Sequence, residues 1–224
     1  MKRLRLDLES AFEELAQSKV EMKKTVAEGL DVDYVQVLPK VLADELFQQL
    51  QENVEYLEGD LSKVKVFGRW HEIPRQQAAY GDQGLKYTFS GITIPAKPWI
   101  PQLETVRNFL QKVTGFYFNF VLVNRYRNGK DHISEHRDAE PEIDKNAPIA
   151  SVSLGQCRQF VLKHGDARKK GNDKRNISPI KIDLKHGSLL LMNPPTNMLW
   201  YHSVPPRKNA DGIRINLTFR KIII

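Results

Sequence analysis

The stretch Arg214–Arg220, RINLTFR, lies near the end of the 224-residue chain and limits how the rest can fold. In a β-strand, successive side chains point to opposite faces, so Ile215, Leu217 and Phe219 share one face. The opposite face carries the polar side chains Arg214, Asn216, Thr218 and Arg220. If that face is buried, its guanidinium groups need anionic partners, and one small dicarboxylate could satisfy both arginines. The competing interpretation, which is favoured when this strand is considered alone, is an exposed edge strand with a solvated basic face.

Short alternating runs, separated by Gly and Pro, fill the chain from about residue 63 onward. Many short strands with turn signals between them favour a sandwich or barrel. Helical periodicity of apolar residues predicts amphipathic helices over residues 3–29 and 40–57, and a further helix over 99–113. We therefore expect a mainly β fold with flanking helices, in which N-terminal helices pack on a β-sandwich of about eight strands, that is, a jelly-roll core.

The composition is that of an ordinary globular protein, with 27% charged and 9% aromatic residues. The single cysteine, Cys157, excludes an intrachain disulfide framework and favours a reducing cytosolic or nuclear setting. No run approaches the ~18 continuous apolar residues of a membrane span, and the basic N-terminus lacks the apolar core of a signal peptide. Residues 1–37 hold six basic and eight acidic side chains, so the net charge of +7 comes from the remainder. That excess fits a polyanionic partner such as nucleic acid as well as it fits a solvated basic surface.

The segment His132–Glu140, HISEHRDAE, carries the best candidate for a metal-ligating pair. His136 and Asp138 are two residues apart, so an extended backbone places both on one face. The pair suits the two-histidine, one-carboxylate set of non-haem Fe(II) oxygenases, although His132 competes as the ligand. The second histidine must come from further along the chain, where the candidates are His164, His186 and His202. His202 fits the expected order, because it lies in LWYHSVPP just before the arginine strand.

Together, the segments NRYRNGKDHISEHRD, WYHSVP and RINLTFRK resemble the AlkB family of Fe(II)- and 2-oxoglutarate-dependent dioxygenases. The runs VFGRWH, YGDQGLKYTFSG, KPWIP and FNFVLVNRY resemble more specifically the branch of that family that repairs alkylated double-stranded DNA. The similarity implies a dioxygenase domain with a double-stranded β-helix (jelly-roll) core over residues 35–224, preceded by an N-terminal helical extension over 1–34. It also implies a base-flipping hairpin at about residues 63–91.

The resemblance implies Fe(II) as the metal, with 2-oxoglutarate as the cosubstrate of O2. The implied iron ligands are His136, Asp138 and His202. The implied 2-oxoglutarate contacts are Asn124, Tyr126, Arg214, Thr218 and Arg220. The residue types agree with that chemistry. One carboxylate of the cosubstrate would chelate the iron near Arg220 and Asn124, and the other would lie deeper, near Arg214 and the hydroxyl of Tyr126.

The substrate end of the site is implied in the same way. A base inside a duplex must be flipped out before it can react, and the gap it leaves must be filled. Phe67, at a predicted hairpin tip, is an apolar wedge of the kind that enters a base stack, although hairpin aromatics more commonly pack back on the sheet. The implied substrate contacts are Phe67, Gly68, Arg69, Tyr87, Thr88, Phe89, Ala139 and Glu140. Ala139 departs from the branch, which usually has a second acidic residue there, and the departure bears on base discrimination.

A polar segment over residues 165–178 is predicted to be a surface loop that grips DNA phosphates. Its candidate phosphate contacts are Arg168, Lys169, Lys170, Lys174 and Arg175. A charge run of this kind is more often a solvated face, and the predicted wedge is what favours the DNA role here.

The resemblance thus implies DNA repair by oxidative demethylation of bases such as 1-methyladenine and 3-methylcytosine, and of etheno adducts, in double-stranded DNA. Succinate, CO2 and formaldehyde are the implied further products. One alternative keeps the chemistry but acts on single-stranded DNA or RNA, and another is a non-catalytic module that binds damaged DNA. The expected partner is alkylated double-stranded DNA and not a membrane, and no clamp-binding motif is seen near the N-terminus. We expect a nuclear monomer.

Overall fold

The computed structural model describes residues 6–66, 68–89 and 91–223. The helices within these ranges are α1 (Leu8–Ala16), α2 (Lys40–Asn53), α3 (Pro101–Thr114) and α4 (Thr196–Leu199). The first eight strands are β1 (Lys23–Ala27), β2 (Leu30–Gln36), β3 (Lys63–Val66), β4 (Arg69–Glu72), β5 (Gln76–Gly81), β6 (Lys86–Phe89), β7 (Ile92–Pro95) and β8 (Phe120–Tyr126). The remaining strands are β9 (Ile133–His136), β10 (Ile149–Gly155), β11 (Arg158–His164), β12 (Ile180–Leu184), β13 (Ser188–Asn193), β14 (Trp200–Val204) and β15 (Arg214–Arg220).

Two antiparallel sheets form the core. The larger sheet has the strand order β1-β2-β13-β10-β15-β8-β5, and the smaller has the order β12-β11-β14-β9. Buried side chains of both sheets, among them Val32, Met192, Leu162 and Trp200, share one hydrophobic cluster between the sheets. The expected jelly-roll is confirmed. Its sheets hold more strands than the eight expected, partly because the short polar strand β9 carries little sequence signal.

The strand β15 lies inside the larger sheet, hydrogen-bonded to β10 on one side and to β8 on the other. Ile215, Leu217 and Phe219 pack into the hydrophobic cluster that α1, α2 and α3 share with this sheet. The alternate side chains face the other way, and Arg214 and Arg220 are buried. The interpretation of this segment as an exposed edge strand is therefore wrong, because both edges of the strand are paired and both faces are covered.

The N-terminal helix predicted over residues 3–29 is wrong beyond Ala16, where α1 ends. The strands β1 and β2 follow it and pair through a turn at Gly29, whose φ of 63° lies in the left-handed region that glycine tolerates. β2 then pairs with β13, so this hairpin extends the larger sheet. The predicted boundary at residue 34 falls within β2. The other two predicted helices form as α2 and α3, with ends shifted by up to four residues.

Two further hairpins lie outside the main sheets. β3 pairs with β4, and β6 pairs with β7. Every residue of β4 is exposed, and Gly68, just before it, has a φ of 80°. Phe67, the predicted wedge, lies outside the described residues. The predicted surface loop after β11 contains only two short 3-10 turns, Gly165–Arg168 and Gly171–Asp173, before β12 begins.

The described helices are all too short or too polar to cross a membrane. α2 and α3, the longest of them, have 14 residues each, whereas a membrane span needs about 20.

Replacing Leu217 by alanine should lower the free energy of unfolding by about 2–5 kcal/mol, because it leaves a cavity under a fully buried side chain. The matched control is Leu61→Ala, since Leu61 is 37% exposed and its loss should cost no more than about 0.5 kcal/mol. Both values come from urea unfolding followed by circular dichroism. Equal losses in the two variants would contradict the placement of β15 at the centre of the core.

Candidate functional site

A cavity of about 460 Å³ opens between the two sheets. Nine of the site residues predicted from the sequence line it, namely Asn124, Tyr126, Thr218 and Arg220, with His136, Asp138 and His202, and with Tyr87 and Glu140. They come from segments far apart in the chain. Strands β8 and β15 contribute the first four residues, while the smaller sheet and the chain that follows β9 contribute His136, Asp138 and His202.

Three potential metal ligands converge at one wall of this cavity. His136, the last residue of β9, pairs in register with His202 of β14. The carboxylate atom Oδ1 of Asp138 lies 3.5 Å from Nε2 of His136 and 3.8 Å from Nε2 of His202. One ligand atom from each residue lies within 4.8 Å of the other two, so a single ion could contact all three. Two imidazoles and one carboxylate leave coordination positions open for further ligands.

The surroundings hold these three groups in the protonation states that a metal needs. Burial lowers the pKa of His202 to about 3 and also lowers the pKa of His136, so both imidazoles are neutral at neutral pH. Burial opposes ionisation of Asp138, but the positive charge of Arg220, which also hydrogen-bonds to this carboxylate, holds the pKa of the carboxyl well below the usual range. Neutral imidazole and ionised carboxylate are the ligating forms of these side chains.

The other candidate histidines are not part of this cluster. His132 lines the cavity, but its Nδ1 lies 3.0 Å from the carbonyl oxygen of Lys130. His164 is buried at the far end of β11, where its Nδ1 accepts a hydrogen bond from the backbone N–H of Asp166. His186 accepts a hydrogen bond from the backbone N–H of Gly155. These contacts fix local backbone and leave His202 as the second histidine beside Asp138.

The two arginines of β15 differ in their partners. Arg220 donates from Nε and Nη2 to Oδ2 of Asp138, at 2.9 and 2.5 Å. Arg214 is fully buried and donates from Nη2 to the hydroxyl of Ser153, at 3.0 Å. Its guanidinium carbon lies 4.9 Å from the ring centroid of Tyr126. Among the described residues, Nε and Nη1 of Arg214 and Nη1 of Arg220 are buried without a hydrogen-bond partner. Such donors favour a carboxylate ligand, because an unpaired buried cation is costly.

The site also contains Arg75, which sequence reasoning missed. Arg75 donates from Nε to the amide oxygen of Asn124 at 2.8 Å, and Gln77 donates to the same oxygen at 3.1 Å. Because its oxygen is occupied, Asn124 can offer its NH2 group to a ligand in the cavity. No sequence signal points to Arg75, because it stands alone before β5 and reaches Asn124 only once β5 has paired with β8.

The predicted substrate contacts are only partly gathered at the cavity. Tyr87 and Glu140 line it, and burial raises the pKa of both side chains. Ala139 instead lines a neighbouring cavity of about 200 Å³. Thr88 does not line either cavity, and its backbone N–H donates to Glu142. Gly68 and Arg69 are exposed on the β3–β4 hairpin. Phe67 and the side chain of Phe89 lie outside the part of the chain that the structure describes.

Three of the five basic side chains predicted to grip phosphates are already paired. Arg168 donates to Glu135 and stacks 3.7 Å from the ring centroid of Tyr201. Lys169 pairs with Asp166, and Arg175 makes a two-pronged contact with Glu28. The other two, Lys170 and Lys174, are exposed. The positive charge of this loop is thus partly offset by carboxylates of the same surface.

The donor set fits a divalent metal held together with a small dicarboxylate. The metal would be bound by the cluster of two histidines and Asp138, all in their ligating forms. The unpaired guanidinium donors of Arg214 and Arg220 lie on the inner face of β15 and could receive the two carboxylates.

Comparison with known proteins identifies the same chemistry. A sequence model of the 2OG-Fe(II) oxygenase superfamily matches residues 32–220. The chain is 56% identical over 197 residues to the mouse DNA oxidative demethylase ALKBH2, covering 88% of this chain and 82% of that protein. It is also 56% identical to human ALKBH2, covering 88% of this chain and 76% of the human protein.

A more distant sequence match and a structural match extend this similarity. Human alpha-ketoglutarate-dependent dioxygenase alkB homolog 3 is 35% identical over 80% of this chain and 62% of its own length. The solved structure of OsALKBH1 superposes with a TM-score of 0.56 at 18% identity, over 89% of this chain and all of that one. The chain belongs to the 2OG-Fe(II) oxygenase superfamily and, within it, to the AlkB family of dioxygenases.

Proposed function

We propose that this chain repairs DNA by oxidative demethylation of N-alkylated bases, such as 1-methyladenine and 3-methylcytosine. The observation that carries the proposal is the buried cluster of His136, Asp138 and His202 beside two arginines with unpaired donors. The 56% identity to mouse and human DNA oxidative demethylases supports the same activity and substrate class here.

In this proposal His136, Asp138 and His202 hold Fe(II), and β8 and β15 hold 2-oxoglutarate. When bound, the iron and the cosubstrate together supply the O2-dependent oxidation of the alkyl group. Arg214 and Tyr126 bind the distal carboxylate, deep between the sheets. Arg220 and the amide NH2 of Asn124 orient the carboxylate nearest the metal, and Thr218 lines the space between them. Burial of this face of β15 excludes water from the reacting atoms.

The substrate base is proposed to enter the mouth of the same cavity. Tyr87 and Glu140 line this cavity, as His136 does, and are proposed to hydrogen-bond to the exocyclic amine of a flipped base. Burial, together with the nearby negative charge of Asp138, raises the pKa of the Glu140 carboxyl. Its oxygens can accept a hydrogen bond from that amine. Phe89 is proposed to stack on the base.

We further propose that the substrate is double-stranded DNA, and that the protein acts as a monomer in the nucleus. The exposed β3–β4 hairpin supports the duplex assignment, because Gly68 and Arg69 present the tip at which Phe67 would enter the base stack. Within the loop over residues 165–178, here called the basic loop, the exposed Lys170 and Lys174 are the side chains best suited to contact phosphates. Arg168, Lys169 and Arg175 would first have to release their carboxylate partners.

Asp138→Ala should abolish demethylation, because it removes the only carboxylate of the metal-binding cluster. Duplex binding should remain, since the hairpin and the basic loop are untouched. The assay is formaldehyde release from a duplex that carries 1-methyladenine, with binding followed by fluorescence anisotropy. Asp144→Ala is the matched control, because Asp144 pairs with Lys221 outside the cluster. If Asp138→Ala released formaldehyde at the wild-type rate under limiting iron, Asp138 would be removed from the ligand set. If the wild type itself released none, the alternative of a non-catalytic module that binds damaged DNA would be favoured.

Arg214→Ala should raise the dissociation constant of 2-oxoglutarate by one to two orders of magnitude, because a hydrogen bond between charged groups contributes roughly 1.5–3 kcal/mol. The affinity is measured by calorimetry with Mn(II) in place of iron. Arg107→Ala removes the same group from α3, where it pairs with Glu104, and should leave the affinity unchanged. An unaltered affinity in Arg214→Ala would exclude this side chain from the cosubstrate site.

Phe67→Ala should reduce kcat/KM on a duplex far more than on a single strand that carries the same methylated base. A ring that fills the gap left by a flipped base recovers about 1–3 kcal/mol by stacking, and a single strand has no such gap. Both substrates are compared at one fixed salt concentration. Phe116→Ala, which removes a ring that is 40% exposed after α3, serves as the control. Equal losses on both substrates would contradict the duplex assignment.

A further inference from the structure

Asp138 lacks the backbone support that the two histidines receive from the smaller sheet. His136 and His202 are paired residues of adjacent strands. β9 ends at His136, and residues 137–140 form no regular structure. The direction of the Asp138 carboxylate therefore depends on contacts from outside its own segment.

One side chain supplies both backbone hydrogen bonds of Asp138. The N–H of Asp138 donates to Oδ1 of Asn197 at 3.0 Å, and Nδ2 of Asn197 donates to the carbonyl oxygen of Asp138. Asn197 thus takes the place of a neighbouring strand. The residues next to this pair are joined as well. The guanidinium of Arg137, just before Asp138, donates to the carbonyl oxygen of Met198, just after Asn197.

The short helix that carries Asn197 is itself fixed to the N-terminal hairpin. Thr196 is fully buried, and its hydroxyl accepts a hydrogen bond from the N–H of Asp31 at 2.7 Å and donates to the carbonyl oxygen of Asp31 at 2.9 Å. At the other end of α4, the indole N–H of Trp200 donates to the carbonyl oxygen of Glu28 at 2.9 Å. A continuous set of contacts therefore runs from β2 through α4 to Asp138.

We propose that Asn197 is a positioning residue for the metal site, acting through the main chain of Asp138. Arg220 holds Oδ2 of the carboxylate, which leaves Oδ1 facing both histidines. This arrangement works only if the backbone of Asp138 cannot rotate, and the amide of Asn197 prevents that rotation at two points. The inference rests on the proposed role of Asp138 as a ligand, and it gives α4 and the β1–β2 hairpin a part in metal binding.

The test measures the affinity of the full chain for Mn(II) in the absence of DNA and 2-oxoglutarate. Binding is monitored through the electron paramagnetic resonance signal of the free ion. Asn197→Ala should weaken Mn(II) binding by about tenfold or more, the effect typical of losing a group that orients a metal ligand. At saturating metal, kcat should return towards the wild-type value, because the cluster itself is intact. A general loss of structure would lower kcat at every metal concentration.

Asn193→Ala is the matched control. Asn193 lies four residues earlier, and its amide donates to the carboxylates of Asp31 and Asp33 and not to Asp138. Its loss should lower the melting temperature without changing Mn(II) affinity by more than about twofold. Asn197→Asp provides a second variant if the alanine chain does not fold, since it keeps the acceptor for the Asp138 N–H but loses the donor. It should also bind Mn(II) more weakly than the wild type.

The positioning role would be overturned if Asn197→Ala or Asn197→Asp bound Mn(II) as tightly as the Asn193→Ala control does. A wild-type chain that fails to bind Mn(II) would instead overturn the proposed metal site. The two failures are therefore distinguishable in one titration series.

Discussion

Two guanidinium groups are buried on the inner face of β15, and the rest of the site is arranged around their charge. A buried cation is costly unless an anion accompanies it. Arg220 meets this requirement with Asp138, a residue 82 positions away in the sequence, through two hydrogen bonds. Arg214 donates to the hydroxyl of Ser153 and lies over the ring of Tyr126, and its Nε and Nη1 have no hydrogen-bond partner among the described residues. The charge of Arg220 is therefore balanced by a carboxylate of the protein itself, whereas the charge of Arg214 would be balanced by the carboxylate of a ligand.

The pairing of Arg220 with Asp138 connects the two halves of the proposed site. It keeps the carboxylate ionised in spite of burial, and it occupies the oxygen that faces away from the histidines. The same burial keeps both imidazoles neutral. One ion pair thus links the arginine strand of the larger sheet to the histidine pair of the smaller sheet. In the proposed site, metal binding and cosubstrate binding would therefore share the side chain of Arg220.

The N-terminal segment, predicted as one helix over residues 3–29, has a structural role through the hairpin that it forms after Ala16. Its hairpin adds two strands to the larger sheet and supports α4 through Asp31 and Glu28. α4 in turn holds the backbone of Asp138 through Asn197. A series of hydrogen bonds therefore connects β2, which lies next to the edge strand β1, to the centre of the site.

Much of this arrangement follows from the sequence. The alternation in RINLTFR separates Ile215, Leu217 and Phe219 from the arginines, because adjacent residues of any strand face opposite ways. The spacing of His136 and Asp138 makes them candidate metal ligands, and the family resemblance implies His202 as the third. The helices α2 and α3 follow from apolar periodicity within single segments. For the strand alternation and the two helices, the relevant physics acts between residues a few positions apart.

Only the tertiary structure decided which of these patterns are buried and which residues meet. RINLTFR is equally consistent with an edge strand, and it is central because β8 and β10 pair with it on both sides. The chain after Ala16 forms a hairpin because β13 offers β2 a partner, which outweighs local helical periodicity. The contacts of Arg75 with Asn124 and of Asn197 with Asp138 join residues 49 and 59 positions apart. Such contacts leave no periodic signal, because burial and hydrogen bonding depend on which segments become neighbours, and that is fixed only when the whole chain has folded.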